Sequence, residues 1–306
     1  MSSWRALRFE FTAMASPCEL LLEGQGERAL QRAAAAAIAE VRRIESRFSR
    51  YLPASVVSRI NAAAGGDALE VDAETASLLD FAGSLWQQSD GLFDITSGVL
   101  RRAWDFTAGH IPTADQLQAL LPLVGWSRVE WSGRTIRLQA GMELDFGGFG
   151  KEYAVDRAAA LLRQRGIEHA LVNLGGDIHV LGPHGLPELR GQPWQIAIER
   201  PRPGPAGPLA LVPLERGGVA TSGDYERFFV RDGQRYCHLL DPRTGWPVSA
   251  WQSMTVLAPN TTTAGALATI AMLKGEQAQS WLASQDARYL AVRADGQPLQ
   301  CLRPAD

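Results

Sequence analysis

The sequence predicts an α+β fold. Three observations carry that prediction. Helix-like and strand-like segments come in runs rather than in strict alternation, the longest apolar stripe has helical spacing, and the second half of the chain reads as a series of short strands separated by turns.

Leu7, Phe9 and Phe11 alternate with Arg8, Glu10 and Thr12, the period of a half-buried strand, and residues 18–23 continue as its hairpin partner. Leu30, Ala34, Ala37, Val41, Ile44 and Phe48 then recur at steps of three and four, which is one apolar stripe of a long helix with arginines on the other side. The alanine run 33–37 reads as close helix packing. A second helix is expected over 73–88 with Asp72 as its cap. A third is expected over 151–165, with Ala154, Ala158, Leu161 and Leu162 on one face and Gly166 at the stop. Strands are expected at 169–174, 178–182, 194–199, 209–214, 226–230, 235–240 and 252–257, with the Pro/Gly-rich segment 201–208 as a loop. Helices over 262–273 and 276–285 and strands near 288–293 and 298–302 close the chain. No internal repeat or linker interrupts it, so residues 1–306 read as a single domain.

The 306 residues are 46% apolar and 21% charged, a balance suited to burying a core and unlike a disordered chain. A net charge of −3 leaves no electrostatic footprint for nucleic acid or an anionic membrane. Cys18, Cys237 and Cys301 are too few and too scattered for a disulfide framework or a thiolate metal site. No stretch reaches the roughly eighteen apolar residues of a membrane span. The N-terminal segment Met1-Ser-Ser-Trp-Arg-Ala-Leu-Arg-Phe-Glu10 lacks the apolar centre of a signal peptide, so a cytoplasmic location is expected.

Five segments carry candidate chemistry. In Leu144-Asp-Phe-Gly-Gly-Phe-Gly150-Lys-Glu-Tyr-Ala-Val-Asp156, three glycines lead into a helix whose free N–H groups can face an anion, with Lys151 adding charge. Its glycine spacing is not that of a Walker loop, and a plain strand-to-helix turn explains it equally well. In Leu171-Val-Asn-Leu-Gly175-Gly-Asp177-Ile178 a strand breaks at two glycines before an acid, either a glycine bulge or a place of close ligand approach. Val219-Ala-Thr221-Ser222-Gly223-Asp-Tyr225 is a small polar cluster able to bind phosphate. His238-Leu-Leu-Asp241-Pro-Arg243-Thr-Gly245 makes a good hairpin turn, although a turn alone does not call for His, Asp and Arg together. Ala258-Pro-Asn-Thr-Thr-Thr-Ala-Gly265-Ala-Leu-Ala-Thr269 looks like a capped helix start.

Together with Met14-Ala-Ser-Pro17, Phe48-Ser-Arg-Tyr51, Ser58-Arg-Ile-Asn61 and Gly91-Leu-Phe-Asp94-Ile-Thr96, these segments resemble the FAD:protein FMN transferases, the ApbE flavin transferases, from about Met14 to Lys274. The resemblance implies mixed sheets and helices with a cofactor cleft between two lobes. It also implies FAD as substrate, magnesium on the pyrophosphate, and transfer of FMN to a Thr or Ser of an unidentified flavin-accepting protein with release of AMP. Carried over residue by residue, Met14 and Tyr51 resemble neighbours of the isoalloxazine ring. Asp177 resembles the acid on the flavin side, Thr221, Ser222 and Gly223 line the cofactor, and Asp94 and Gly148 join them as cofactor-binding candidates. Lys151 and Arg243 would balance pyrophosphate charge, and His238 is the candidate base with Asp241 next in line; an imidazole titrates near neutrality and suits that task.

Three departures accompany the resemblance. Gly265 stands where the family usually carries a metal-binding Asp, leaving Thr269 and the Gly150 backbone carbonyl for a weakened magnesium site. Gly150-Lys151-Glu152 replaces Ala-Lys-Gly, which makes Glu152 a candidate for the missing charge, and Met14-Ala15-Ser16 replaces Met-Gly-Thr. Two readings remain, an active transferase with an altered metal site or an FAD-binding relative that acts as a carrier, regulator or FAD pyrophosphatase.

Overall fold

The computed structural model describes residues 4–302, so Met1–Ser3 of the N-terminal segment read above lie outside it. The alternation at the N-terminus makes strand β1 (Trp4–Ala13), which pairs antiparallel with β2 (Ser16–Gln25) in a register that sets Ala13 opposite Ser16. That register leaves Met14 and Ala15 as a two-residue loop with φ of 52° and 56°. Positive φ at both central positions matches the strand twist in a primed hairpin turn, yet neither residue is the usual Gly or Asn. Holding non-glycine residues there costs of order 1–3 kcal/mol each, and the Met14 N–H donates to Glu45 Oε1 at 2.6 Å as one compensation.

Helix α1 (Glu27–Phe48) buries Leu30, Ala34, Ala37, Val41, Ile44 and Phe48, the predicted stripe, with Ala33 added. The chain then builds a peripheral region from α2 (Val56–Ala62), β3 (Leu69–Glu70), α3 (Ala73–Gln88), a 3₁₀ helix at Ile95–Arg102, α4 (Ala114–Leu120), β4 (Glu130–Trp131) and β5 (Thr135–Arg137). Asp72 caps α3 as predicted, its Oδ1 accepting the Thr75 N–H at 3.0 Å. Helix α5 (Gly150–Gln164) follows, and Gly166 at φ 79° turns the chain back toward the sheet.

The remaining elements are β6 (His169–Leu174), β7 (Asp177–Val180), β8 (Trp194–Ile198), β9 (Ala210–Leu214), β10 (Gly217–Gly223), β11 (Phe228–Arg231), β12 (Gln234–Cys237), β13 (Trp251–Ala258), α6 (Thr261–Lys274), α7 (Ala278–Ser284), β14 (Arg288–Arg293) and β15 (Pro298–Cys301). The main sheet has eight strands in the order β1-β2-β6-β7-β10-β13-β14-β15, antiparallel throughout. Period two divides its faces. Ala170, Val172 and Leu174 of β6 join Leu20 and Leu22 in the core under α1 and α5, while Leu171, Val219 and Leu257 face the β8–β9 hairpin. Mixed helices and antiparallel sheets confirm the α+β class.

Strand β10 was not predicted. Its residues Gly-Gly-Val-Ala-Thr-Ser-Gly are small and partly polar, so they lack the alternation of a half-buried strand. Small residues are needed there because α6 lies directly on the strand; a Cβ at Gly218 would sit 2.3 Å from the Thr261 nitrogen.

Candidate active site

The glycine loop, the strand break at Gly175, strand β10 and helix α6 meet at one place. In the glycine loop, Gly148 is required by packing, since a Cβ there would lie 2.7 Å from Phe93 Cζ. Gly150 begins α5 and projects Lys151 and Glu152 beneath β7 and α6. Lys151 Nζ lies 3.0 Å from Asp177 Oδ2 and 3.2 Å from the Gly175 carbonyl oxygen. Gly175 and Gly176 make the left-handed turn between β6 and β7 at φ of 58° and 91°. A side chain at Gly175 would strike Ser16 at 2.8 Å and approach Lys151 Nζ at 3.2 Å.

Asp177 is buried, which pushes its carboxyl upward against the pull of Lys151 and of the Thr221 N–H. Burial pulls the Lys151 pKa down, but Asp177 first and Glu152 second together outweigh it and hold the ammonium above its ordinary value. Burial pushes Glu152 up to about 8, Asp177 adds to the rise, and Lys151 opposes it. Above this cluster, Thr221 Oγ1 and Thr255 Oγ1 share a hydrogen bond at 2.8 Å, and Ser222 Oγ shares one with Thr269 Oγ1 at 2.6 Å. Gly223 leaves room for the Tyr225 ring, which a Cβ would meet at 2.4 Å.

His238 lies just after β12 and lines an open cleft of about 980 Å³ together with Ala15, Tyr51, Arg101, Arg102 and Arg227. Burial first, then the charges of Arg101 and Arg227, pull its imidazole down to about 4. Its Nδ1 is buried with no hydrogen-bond partner among the described residues. Tyr51 is 69% exposed and its hydroxyl accepts from Arg101 Nη1 at 2.9 Å. A second cleft of about 890 Å³, lined by Ser16, Gly175, Thr221 and Tyr225 among others, shares Ala15 with the first. The strained Met14-Ala15 turn therefore borders both clefts through Ala15.

Three candidates lie elsewhere. Asp241 accepts from the Arg243 N–H at 2.9 Å, from Nε at 3.1 Å and from Nη2 at 2.9 Å. Like Lys151 and Asp177 the two residues line neither cleft, and unlike them they have, among the described residues, no bond to the glycine turn or to β10. Their turn is anchored by Trp104, whose Nε1 donates to the Gly245 carbonyl at 2.8 Å. Asp94 is buried, with Oδ1 accepting from Thr96 N and Oγ1 at 2.8 and 2.6 Å and Oδ2 from Trp126 N at 2.8 Å. Those bonds cap the 3₁₀ helix that carries Arg101 and Arg102.

The cleft arginines Arg101, Arg102 and Arg227 were missed by sequence reasoning. The adjacent pair Arg101-Arg102, a few residues beyond the Gly91–Thr96 segment, was the available signal. Among the described residues no group of three or more His, Cys, Asp or Glu side chains is placed to hold a metal ion. Among the described residues no helix is long and apolar enough to cross a membrane.

A profile of the ApbE family matches residues 14–292. A relative from Rhodobacter capsulatus named FAD:protein FMN transferase is 35% identical over 263 residues, covering 84% of this chain and 48% of that protein. The chain thus spans about half the length of that relative. A Klebsiella pneumoniae protein of the same name is 31% identical over 264 residues, covering 84% of this chain and 79% of its own. The crystal structure of the ApbE protein from Thermotoga maritima matches with a TM-score of 0.88 at 30% identity, covering 97% of each chain.

Proposed function

Because the chain belongs to the ApbE family, we propose that it is an FAD:protein FMN transferase acting through the two clefts that Ala15 borders. The observation that carries this reading is His238, whose ring nitrogen Nδ1 is buried and unpartnered in a cleft lined by Arg101, Arg102 and Arg227. The arginines lining the cleft outnumber its acids Asp105 and Glu143, the latter paired with Arg102, so its net positive charge fits a pyrophosphate. An imidazole with an unused nitrogen fits proton removal from a hydroxyl.

In this reading the Thr or Ser oxygen of an acceptor protein attacks the FMN-side phosphorus of FAD. The phosphorus–oxygen bond to AMP breaks, AMP leaves with the electron pair, and FMN remains as a phosphoester. His238 takes the hydroxyl proton. With its pKa drawn down to about 4, the imidazole is neutral at pH 7 and able to accept. Bound pyrophosphate offsets Arg101, Arg227 and Lys151, raising the imidazole toward neutrality, where it is the stronger base. Phosphoryl transfer depends mainly on positioning and on neutralising charge, so the arginines and Lys151 do most of the remaining work.

Met14 and Tyr51 flank the isoalloxazine ring, and Asp177 with Thr221, Ser222 and Gly223 borders the cofactor. Gly148 supports that wall through its packing on Phe93, and Asp94 acts at a distance by capping the 3₁₀ helix that carries Arg101 and Arg102. Asp241 and Arg243 hold the turn that follows His238. The family's magnesium fits hard oxygens, and Thr269 Oγ1 and the Gly150 carbonyl would hold it beside the buried Glu152 carboxylate, whose Oε2 has no partner among the described residues. Its contribution when bound is charge neutralisation at the pyrophosphate.

The test is incubation of the purified chain with FAD and magnesium, followed by chromatography. AMP is expected, with FMN retained on an acceptor protein. AMP with equimolar free FMN would identify an FAD pyrophosphatase, and intact FAD at the end of the incubation would remove the transferase reading.

A further inference from the structure

We propose that Glu152 is the carboxylate ligand of a divalent-cation site, delivered from α5 into space that Gly265 leaves open on α6. The inference rests on the reading of the clefts as an FAD site, and the structural argument for it is local. A Cβ built on Gly265 would lie 2.6 Å from both Cγ and Oε1 of Glu152. Any side chain at 265 therefore displaces Glu152, and the glycine reserves its place.

Gly265 and Thr269 are four residues apart on α6 and share a face. The Glu152 carboxylate thus lies against the face of α6 that presents the Thr269 hydroxyl, itself 2.6 Å from Ser222 Oγ. Glu152 is 8% exposed, and its Oε2 has no hydrogen-bond partner among the described residues. A buried carboxylate oxygen left unsatisfied is costly, and its usual remedies are a hydrogen bond, a paired cation or a metal. The neighbouring Lys151 ammonium is engaged with Asp177 Oδ2 at 3.0 Å and with the Gly175 carbonyl at 3.2 Å. One carboxylate and neutral oxygens, completed by substrate phosphates and water, suit a small hard cation such as magnesium.

The experiment is a titration of the purified chain with Mn²⁺, free ion being counted by electron paramagnetic resonance, with Mg²⁺ as competitor and with FAD absent or present. The wild type should bind one Mn²⁺ that Mg²⁺ displaces. Glu152→Gln should weaken that binding about tenfold or more, the loss of one charged hard ligand, without lowering Tm. Glu152→Gly combined with Gly265→Asp, which moves the carboxylate to α6, should keep Mn²⁺ binding within about threefold. Gly265→Asp alone should lower Tm, because two carboxylates then compete for one space. Wild-type affinity in Glu152→Gln, loss of Mn²⁺ in the double variant, or no Mn²⁺ binding to the wild type with or without FAD would each overturn the assignment. Flavin fluorescence on the same samples separates the two claims: a wild type that binds Mn²⁺ but not FAD retains the cation site and loses the transferase reading.

Discussion

Asp156 and Glu152 lie one turn apart on α5 and both face α6, yet their surroundings differ. Asp156 accepts from Thr261 N at 2.9 Å, from Thr262 N at 2.8 Å and Oγ1 at 2.5 Å, and contacts His179 Nδ1 at 2.9 Å. Burial alone would raise its pKa, but the bonds from His179 and from Thr261 and Thr262 outweigh burial and hold it below the ordinary carboxylate value. Glu152 has an oxygen without a partner, and burial pushes it up to about 8. A carboxylate with every bond filled fastens α6 to α5 and β7. One with an oxygen left open is a candidate for chemistry, because buried polar groups are ordinarily satisfied and the exceptions cluster at functional sites.

The sharpest test of this contrast is stability. Asp156→Ala leaves the first N–H groups of α6 without their carboxylate and should cost on the order of 3 kcal/mol, lowering Tm by several degrees in thermal denaturation. Because the Asp156 pKa is depressed, its contribution is present above the unfolded value near 4 and is lost as acid protonates it. Glu152→Gln should leave Tm unchanged or raise it. Equal destabilisation by the two substitutions would erase the distinction.

The next largest effect concerns activity. His238→Ala should slow AMP release about a hundredfold, roughly 3 kcal/mol of barrier, while leaving FAD affinity and Tm nearly unchanged at pH 7. The His238 pKa lies at about 4 in the fold against roughly 6.5 unfolded, so the unfolded chain binds more protons between those values and stability rises with pH across that window. The substitution should flatten that part of the urea-midpoint profile. A variant that loses FAD binding instead would make His238 a structural residue.

Arg243→Ala should have the smallest effect. The guanidinium is 63% exposed and paired with Asp241, so its loss should cost less than about 1 kcal/mol and change FAD affinity less than threefold. A tenfold loss of FAD affinity would return Arg243 to the pyrophosphate and contradict its placement outside the clefts.

Periodicity made the large elements legible. The Leu30–Phe48 stripe, the β1–β2 alternation and the Asp72 cap are strong local signals that tertiary packing kept. Helices α2 and α4 are seven residues each, too short for a recognisable stripe, and the 3₁₀ helix at Ile95–Arg102 lacks helical spacing. Strand β10 was hidden because the constraint on it comes from α6, which demands small residues where a strand would normally show large ones. The motif segments around Lys151, Asp177, Thr221, Ser222 and Thr269 were readable, and the fold gathers them. What the sequence could not show was contact between distant positions. Glu152 could be named from the sequence as a candidate for the charge missing at Gly265, but the 2.6 Å approach between the two positions belongs to the packing of α5 on α6. The resemblance assigned Arg243 to the pyrophosphate, because a turn's internal ion pair with Asp241 leaves no periodic trace in the sequence.

The measurement that tests the account most directly is a paired time course of AMP release from FAD by the wild type and by Glu152→Gln across a magnesium series. The wild type should release AMP at a rate that saturates with magnesium. The variant, equally stable, should be at least about tenfold slower at the concentration that saturates the wild type and should recover partly at higher magnesium. Equal rates at every magnesium concentration would contradict the role given to Glu152, and no AMP from either protein would contradict the flavin-transfer reading itself.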